Sequence, residues 1–381
     1  MRILIHSNAP FVPSGYGAQV RLLLPRLAEL GHDVVVSSFY GVSGSPINWK
    51  DWLILPAGQN DFGVDTIIPH ADTYGADLVL TLMDFWQLAR VAPALRGRRL
   101  AAWLPNDCSP LGQPDRQTLE VSGAVPIAMS MFGLGNLREA GFEQAMYVPH
   151  AVDTDVFRPP ADRVELRESL NLPTDQFIIG ICAANRDGLR KGFPEQFKAF
   201  AKFHRAHPDS LLMVHSVAQS RGGLDLLELA ADMGITDHVI ISEPYAQITG
   251  IMEPYVIADW YGCLDVLSSC SYGEGFGLPI LEAQACGTPV IATDCSAMSE
   301  LVAGTGWLVR GQPFWNPTHR AWWKRPDVDA IVKSYEKAYA ERGAQRALRR
   351  QGQCIEFAAG YDSAAVAAEF WAPALKTLEE M

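Results

Sequence analysis

The sequence predicts an α/β protein with two Rossmann-like parallel-sheet domains, and three observations predict it. Short runs of branched aliphatic residues alternate with helix-like stretches along the chain. The rhythm breaks at one polar, proline-bearing stretch, VDTDVFRPPADR (152–163), and then restarts. Of 381 residues, 48% are hydrophobic and 19% charged, enough apolar content for two cores and too little charge for long disordered tails.

The first half opens with RILIHSN, a buried strand by its branched aliphatics. A glycine-bearing loop, PFVPSGYGAQ, follows, then a helix, VRLLLPRLAELG, closed by Gly31, and a second strand, DVVVSSF. Further strands are expected at 52–57, 77–84, 99–105, 125–130 and 145–152, with the pattern blurred over 85–97. After the break, strands are expected at 177–184, 211–218, 238–244, 263–270, 288–294 and 306–311. Helical stretches such as FPEQFKAFAKFHRA separate most of them, and three more, 327–342, 344–359 and 362–380, end the chain. The expected division is 1–155 for the first domain, 156–172 for a linker, 173–358 for the second domain and 359–381 for a terminal helix. The segment PFWNPTHRAWWKRP holds three tryptophans and reads as a packed or interface loop.

The formal net charge of −12 argues against nucleic acid bound through bulk charge, although an anionic ligand could still find a local basic pocket. Seven cysteines stand at scattered positions without a C-x-x-C pair or zinc spacing, which suggests a reducing compartment, the cytoplasm. The N-terminus reads as a first strand rather than a signal peptide, and no apolar run reaches the length of a membrane span. The densest basic run, RALRRQ (346–351), is short, so membrane contact would be peripheral at most.

Open α/β sheets bind ligands beyond the carboxyl ends of their strands, so candidate residues are sought there. Ser14, Gly15, Tyr16 and Gly17 follow the first strand, where glycines let a backbone approach a ligand, although a plain strand-to-helix turn fits equally well. Asn185, Arg186, Arg190 and Lys191 follow the strand at 177–184, and cations there suit a diphosphate as well as they suit a solvated loop. In SYGEGFGLPILEAQACG, Glu274 is flanked by Gly273, Gly275 and Gly277, and Pro279 opens a helix that carries Glu282 one turn in. Free amides at that helix start favour an anion, while Glu282 could either accept a ligand hydroxyl or merely offset the helix dipole. A glycosidase-like carboxyl pair is disfavoured, because the helix field stabilises the ionised form and makes a poor general acid.

At these residues the sequence resembles the family 4 retaining glycosyltransferases of GT-B architecture. The segment SYGEGFGLPILEAQACGTPVIATD is similar to the family's E-x7-E motif, met by Glu274 and Glu282. VPHAVDTDVF resembles a second family segment, with His150 and Ala151 in place of Asn and Gly. The resemblance implies two domains facing across a cleft, a donor held mainly by the C-terminal domain, and a final helix crossing back to the N-terminal one. It implies Glu274 on sugar hydroxyls, Glu282 on ribose, and Arg186 with Lys191 on the diphosphate. Backbone amides at Gly275, Phe276, Gly277 and Leu278 would help hold sugar and phosphate, and Gly15 with Gly17 would line the acceptor side. No cofactor or metal is expected. The family's histidine after the strand at 99–105 is replaced by Asn106, Asp107 and Cys108, so Asp107, or else Asn106, becomes the candidate there. The implied reaction is sugar transfer from a nucleoside diphosphate sugar to an unidentified acceptor hydroxyl. A nucleotide-sugar epimerase and a catalytically idle sugar-nucleotide-binding protein are the alternatives.

Overall fold

The computed structural model describes residues 1–243 and 253–381. The chain divides into two compact units, one of Met1–Ala151, Trp315–Trp322 and Tyr361–Met381, the other of Val152–Phe314 and Trp323–Gly360.

The first unit is built on strands β1 (Arg2–Asn8), β2 (Asp33–Tyr40), β3 (Ile47–Trp49), β4 (Trp52–Leu55), β5 (Leu78–Leu82), β6 (Leu100–Leu104), β7 (Val125–Ala128) and β8 (Met146–Tyr147). They pair in the order β3-β4-β2-β1-β5-β6-β7-β8, parallel except where β3 runs against β4. Ile5 lies opposite Val36 on one side and Leu80 on the other. Ile3, Leu4 and Ile5 are all fully buried, as expected of a central strand covered on both faces.

The helix after β1 runs Gly15–Glu29, so it starts well before the apolar stretch that opens at Val20 and draws the glycines into its first turn. Ser14 caps it by accepting from the Gly17 amide. A Cβ at Gly17 would lie 2.4 Å from the Val12 carbonyl oxygen and 2.9 Å from that of Ala9, so this glycine lets the helix press on its own preceding loop. The blurred stretch is a helix, Phe85–Leu95, held by an Asp84–Gln87 capping box, and the Pro93 inside it is what obscures the pattern. The terminal residues return to this unit, with Trp371 edge-on to Trp103 at 4.9 Å.

The second unit is built on β9 (Phe177–Cys182), β10 (Ser210–His215), β11 (Val239–Ile241), β12 (Val266–Ser269), β13 (Val290–Thr293) and β14 (Trp307–Val309). Among the described residues its sheet order is β11-β10-β9-β12-β13-β14, and each pairing is parallel. Pro244, the last residue of the strand expected at 238–244, lies outside the described residues. The helix Phe193–Ala206 buries Phe193, Phe197, Phe200 and Phe203 at helical spacing, and Phe203 also meets Phe177 on β9. The order reverses between β9 and β12, which places a topological switch point at their carboxyl ends.

Two expectations are corrected. The stretch expected as a linker, 156–172, holds a helix, Arg163–Ser169, that is packed into the second unit. Its buried Arg167 donates to the carbonyls of Cys263 and Gln176 and to the Asp265 carboxylate, at 2.9, 3.0 and 2.8 Å. The tryptophan-rich stretch is not a loop but a hairpin of β15 (Gly311–Asn316) and β16 (Ala321–Pro326). Alternation along its strands explains the composition: Trp315 packs edge-on to Trp322, while Phe314 and Trp323 both face Tyr272.

Gly17→Ala is expected to destabilise the first unit by about 2 kcal/mol, because the new methyl meets rigid carbonyls rather than a yielding side chain. Chemical denaturation of the variant against the parent chain checks this, and an unchanged midpoint would contradict the tight approach.

Candidate functional site

The loops after β9 and β12 form one built site at the switch point of the second unit. They are joined through backbone first: the Tyr272 amide donates to the Arg190 carbonyl at 2.7 Å. Gly192 allows this approach, since it sits at φ 60° and a Cβ there would come within 2.4 Å of the Cys270 carbonyl oxygen. Gln196, fully buried, ties both loops together. Its amide donates to the Lys191 carbonyl at 2.8 Å, and its oxygen accepts from Ser268 Oγ and the Cys270 amide at 2.7 and 3.2 Å.

The Glu274 carboxylate sits at the centre. It accepts from Lys191 Nζ at 2.6 Å, Ser271 Oγ at 2.6 Å and Arg190 Nη1 at 3.1 Å. Burial opposes its charge, but the charges of Lys191 and Arg190 overcome that and hold the carboxyl down at about 2. Lys191 is pushed below the ordinary lysine range by burial and by Arg190 beside it, with Glu274 working the other way. The Glu274 amide donates to Ser296 Oγ at 2.9 Å. Ser296 holds φ 52°, a left-handed backbone in a residue other than glycine, and strain of this kind persists where neighbours fix it.

Gly277, at φ 113°, caps the helix Leu278–Ala285, whose second residue, rather than its first, is Pro279. Phe276 is buried, and Gly277 and Leu278 are half-buried at the helix start. Glu282 lies beyond the first turn, so compensation of the helix dipole does not account for it. It accepts from Tyr261 Oη at 2.9 Å.

Not every candidate residue joins this cluster. Arg186 is exposed, and among the described residues its guanidinium makes no hydrogen bond or ion pair. Arg190 occupies the cluster beside Lys191 instead. Asn185 turns away from the cluster, donating to the carbonyls of Val217 and Leu224 and accepting from the Leu224 amide. Gln196, Ser271, Ser296 and Tyr261 were not singled out in the sequence; only the E-x7-E spacing points toward their neighbourhood.

The first unit collects a different set. Tyr16 Oη donates to Asp84 at 2.7 Å, and Asn8 donates to Ser14 Oγ at 2.8 Å. Gly15 and Gly17 lie between them in the first turn of the helix. Asn106 is buried and accepts from Asn136 at 2.6 Å, which makes it part of the loop framework. Asp107 beside it is half-buried. His150 is buried against Trp103, ring centroids 4.4 Å apart, and burial drives its pKa down to about 3, so it is packed as a neutral ring.

The hairpin tip adds a residue that no motif indicates. Ser109 and Trp322 exchange both backbone hydrogen bonds, at 3.1 and 3.0 Å. Gly112 leaves room for the His319 carbonyl, and His319 Nδ1 lies 2.9 Å from the Asp115 carboxylate. Burial works against charge on His319, but the bond to Asp115 and the fields of Asp107, Asp115 and Asp84 raise its pKa above the ordinary value. Asp115 is raised by its own burial, with His319 pulling it down.

Residues 181–314 match the family model described as glycosyl transferases group 1. The D-inositol 3-phosphate glycosyltransferase of Stackebrandtia nassauensis is 34% identical over 187 residues, 47% of this chain and 40% of the relative. The lipopolysaccharide core biosynthesis mannosyltransferase LpsB of Rhizobium meliloti is 32% identical over 162 residues, 41% of this chain and 42% of the relative. The matches thus span less than half the length of these two relatives. Among solved structures, the sucrose-phosphate synthase of Thermosynechococcus elongatus superposes with a TM-score of 0.76 at 21% identity, covering 100% of both chains. HepE of Anabaena, solved in complex with UDP and glucose, superposes at 0.72 with 17% identity, also covering 100% of both chains. The chain has the GT-B fold, and its residues 181–314 are similar to a glycosyl transferases group 1 domain.

Lys191→Ala is expected to destabilise the second unit by about 3 kcal/mol at neutral pH, because buried Glu274 loses a close counter-ion and keeps only Arg190 and Ser271. Glu274 is depressed in the folded chain, so its stabilisation is present above its ordinary carboxylate value and is lost as pH falls toward about 2. The gap between parent and variant should therefore narrow on acidification, and denaturation at a series of pH values measures it.

His319 carries the opposite sign. Its folded pKa is raised, so its contribution is full below the ordinary imidazole value and is lost as pH rises through the raised one. Amide exchange over residues 318–322 should quicken beyond its intrinsic pH dependence as pH rises from below the ordinary imidazole value to well above it. His319→Gln should abolish that excess.

Proposed function

We propose that the chain is a retaining, metal-independent glycosyltransferase that moves a sugar from a nucleoside diphosphate sugar to an acceptor hydroxyl. The observation that carries this reading is the Lys191–Glu274–Arg190 cluster, set at the switch point of the second sheet beside a helix start and inside the matched domain. The solved complexes of HepE with UDP, with UDP and glucose, and with UDP-glucose support a donor of that class.

In the resting chain Glu274 pairs with both cations, and Arg190 also lies 3.8 Å from the Asp187 carboxylate. A donor diphosphate brings its own negative charge to Lys191 and Arg190, and frees Glu274 oxygens to accept from sugar hydroxyls. As the bond from the anomeric carbon to the diphosphate breaks, charge grows on the leaving oxygen. Lys191, Arg190 and the amides at Gly277–Leu278 would stabilise it where it develops. The acceptor oxygen bonds to the anomeric carbon on the face the diphosphate leaves, and its proton passes to the leaving phosphate oxygen. This route needs no dedicated protein base. Countercharge is supplied by the chain itself, which is the sense in which we read it as metal-independent.

Among the described residues the seven cysteines are not joined in disulfides, which supports the cytoplasm as its compartment. Among the described residues no helix is long and apolar enough to cross a membrane.

A thermal-shift screen against nucleoside diphosphates and their sugars is expected to single out one base and sugar by raised apparent stability. With that donor and a range of hydroxyl acceptors, nucleotide release should depend on acceptor. Lys191→Ala should reduce turnover by about 100- to 1,000-fold. Isomerised donor without acceptor would indicate an epimerase instead, and unchanged turnover in both Lys191→Ala and Arg190→Ala would remove the diphosphate assignment.

A further inference from the structure

We infer that Tyr261 is a positioning residue that fixes the Glu282 carboxylate for the vicinal hydroxyls of the donor's ribose, and so makes the site select ribonucleotides over 2′-deoxyribonucleotides. The inference rests on the reading of the second unit as a nucleotide-sugar site and adds to it the group that sets how the nucleoside is read.

Three elements converge at this point. Cys182 is the last residue of β9, at the switch point. Tyr261 lies near the end of the helix Pro254–Gly262, and Glu282 one turn into the helix Leu278–Ala285. Tyr261 is fully buried, with its ring edge-on to Trp260 at 5.3 Å and tilted against Phe157 at 6.2 Å. Those contacts would serve a phenylalanine equally well. The hydroxyl is what distinguishes this residue, and it donates to Glu282 Oε2 at 2.9 Å with the Cys182 thiol in hydrogen-bonding contact behind it. A buried phenol needs a partner, and here the partner is a half-buried carboxylate.

The geometry has a consequence for Glu282. A glutamate has three side-chain torsions, and a half-buried one samples several rotamers unless something holds it. One oxygen pinned by a rigid, buried donor fixes the plane of the carboxylate and lowers the ordering cost of presenting it to a diol. The donor itself cannot drift. The Tyr261 carbonyl accepts from Thr288 Oγ1 at 2.8 Å and from the Leu264 amide at 3.1 Å. Burial and the nearby Cys182 and Glu282 raise the phenol far above its ordinary range, so it stays protonated and able to donate.

The test is calorimetric titration of UDP, or the diphosphate selected by the screen, against its 2′-deoxy form, with inorganic pyrophosphate as control. The parent chain should favour the ribonucleotide by about 10-fold, as expected for a hydroxyl accepted by a charged group. Tyr261→Phe should reduce that preference to about 2-fold while leaving pyrophosphate affinity unchanged. In turnover its effect should fall on donor KM more than on kcat. Replacing Tyr261 by 3-fluorotyrosine keeps the hydroxyl and should keep the preference, which provides a second variant if Tyr261→Phe does not fold. Full discrimination in Tyr261→Phe, a loss in the fluorotyrosine chain equal to that in Tyr261→Phe, or a parallel fall in pyrophosphate affinity would each overturn the inference. A parent chain that binds the diphosphate without preferring ribose overturns it and leaves glycosyl transfer standing. A parent chain that binds no nucleoside diphosphate overturns both.

Discussion

A buried carboxylate and two half-buried cations, held together at the crossing point of a parallel sheet, set the terms for the second unit. The carboxylate could not be buried as an ion alone: the desolvation of a single ion in a protein interior costs several kcal/mol, and only a close opposite charge offsets it. Glu274 therefore requires Lys191 and Arg190. Arg190 also lies 3.8 Å from the Asp187 carboxylate, so two cations face two acids and the cluster is close to balanced. A site balanced in this way keeps its charges compensated when empty, and in the proposed reaction a diphosphate would compete with the two acids for the cations.

The scaffold around the cluster exists to bring two loops close enough for that contact. Gln196 bonds to both, Gly192 removes the one methyl that would hold them apart, and Ser296 accepts a strained backbone to catch the Glu274 amide. Further back, buried Glu195 accepts from Tyr272 Oη at 2.9 Å and Arg325 Nε at 2.7 Å, and Lys324 donates to the Asp294 carbonyl at 2.7 Å. The stem of the tryptophan hairpin is in this way locked to the loop that carries Glu274. Few of these residues could touch a ligand, yet each limits where the charged atoms stand, and charge stabilisation is sensitive to shifts of an ångström.

What was legible in the sequence follows a physical divide. The buried parallel strands are short aliphatic runs with polar punctuation, so Phe177–Cys182, Val266–Ser269 and Val290–Thr293 could be read directly. Glu274 and Glu282 drew attention through the E-x7-E spacing among glycines and a helix opening, although a dipole-compensating role for Glu282 was equally readable until the helix start at Leu278 put it beyond the first turn. Arg190 was harder. It and Arg186 share one loop, and only the turn made by Asp187, whose carboxylate accepts from the Leu189 and Arg190 amides, decides which guanidinium faces inward. Tyr261 reads as one more apolar residue in an apolar helix, since nothing in its neighbours in sequence shows where its hydroxyl goes. His319 and Asp115 are 204 residues apart, a pairing made by tertiary structure alone. The helix at 15–29 began early because a serine cap and two glycines, which read as a loop, are equally the chemistry of a helix entrance.

The two units differ in the chemistry gathered at the carboxyl ends of their strands, and the difference bears on the proposed reaction. In the second unit those ends present cations and helix amides, partners for an anion whose charge grows as a bond breaks. In the first unit they present acids: Asp84 follows β5, Asp107 follows β6, and Asp115 stands nearby with His319 held against it. Carboxylates accept hydrogen bonds from hydroxyls and repel phosphates, so this unit suits a neutral, hydroxyl-bearing molecule far better than a second anion. The proposed transfer would set a charged donor against an uncharged acceptor, and this asymmetry is compatible with it; in the empty chain Asp84 already accepts from Tyr16 and Asp115 is held by His319, so an acceptor would have to share or displace those bonds.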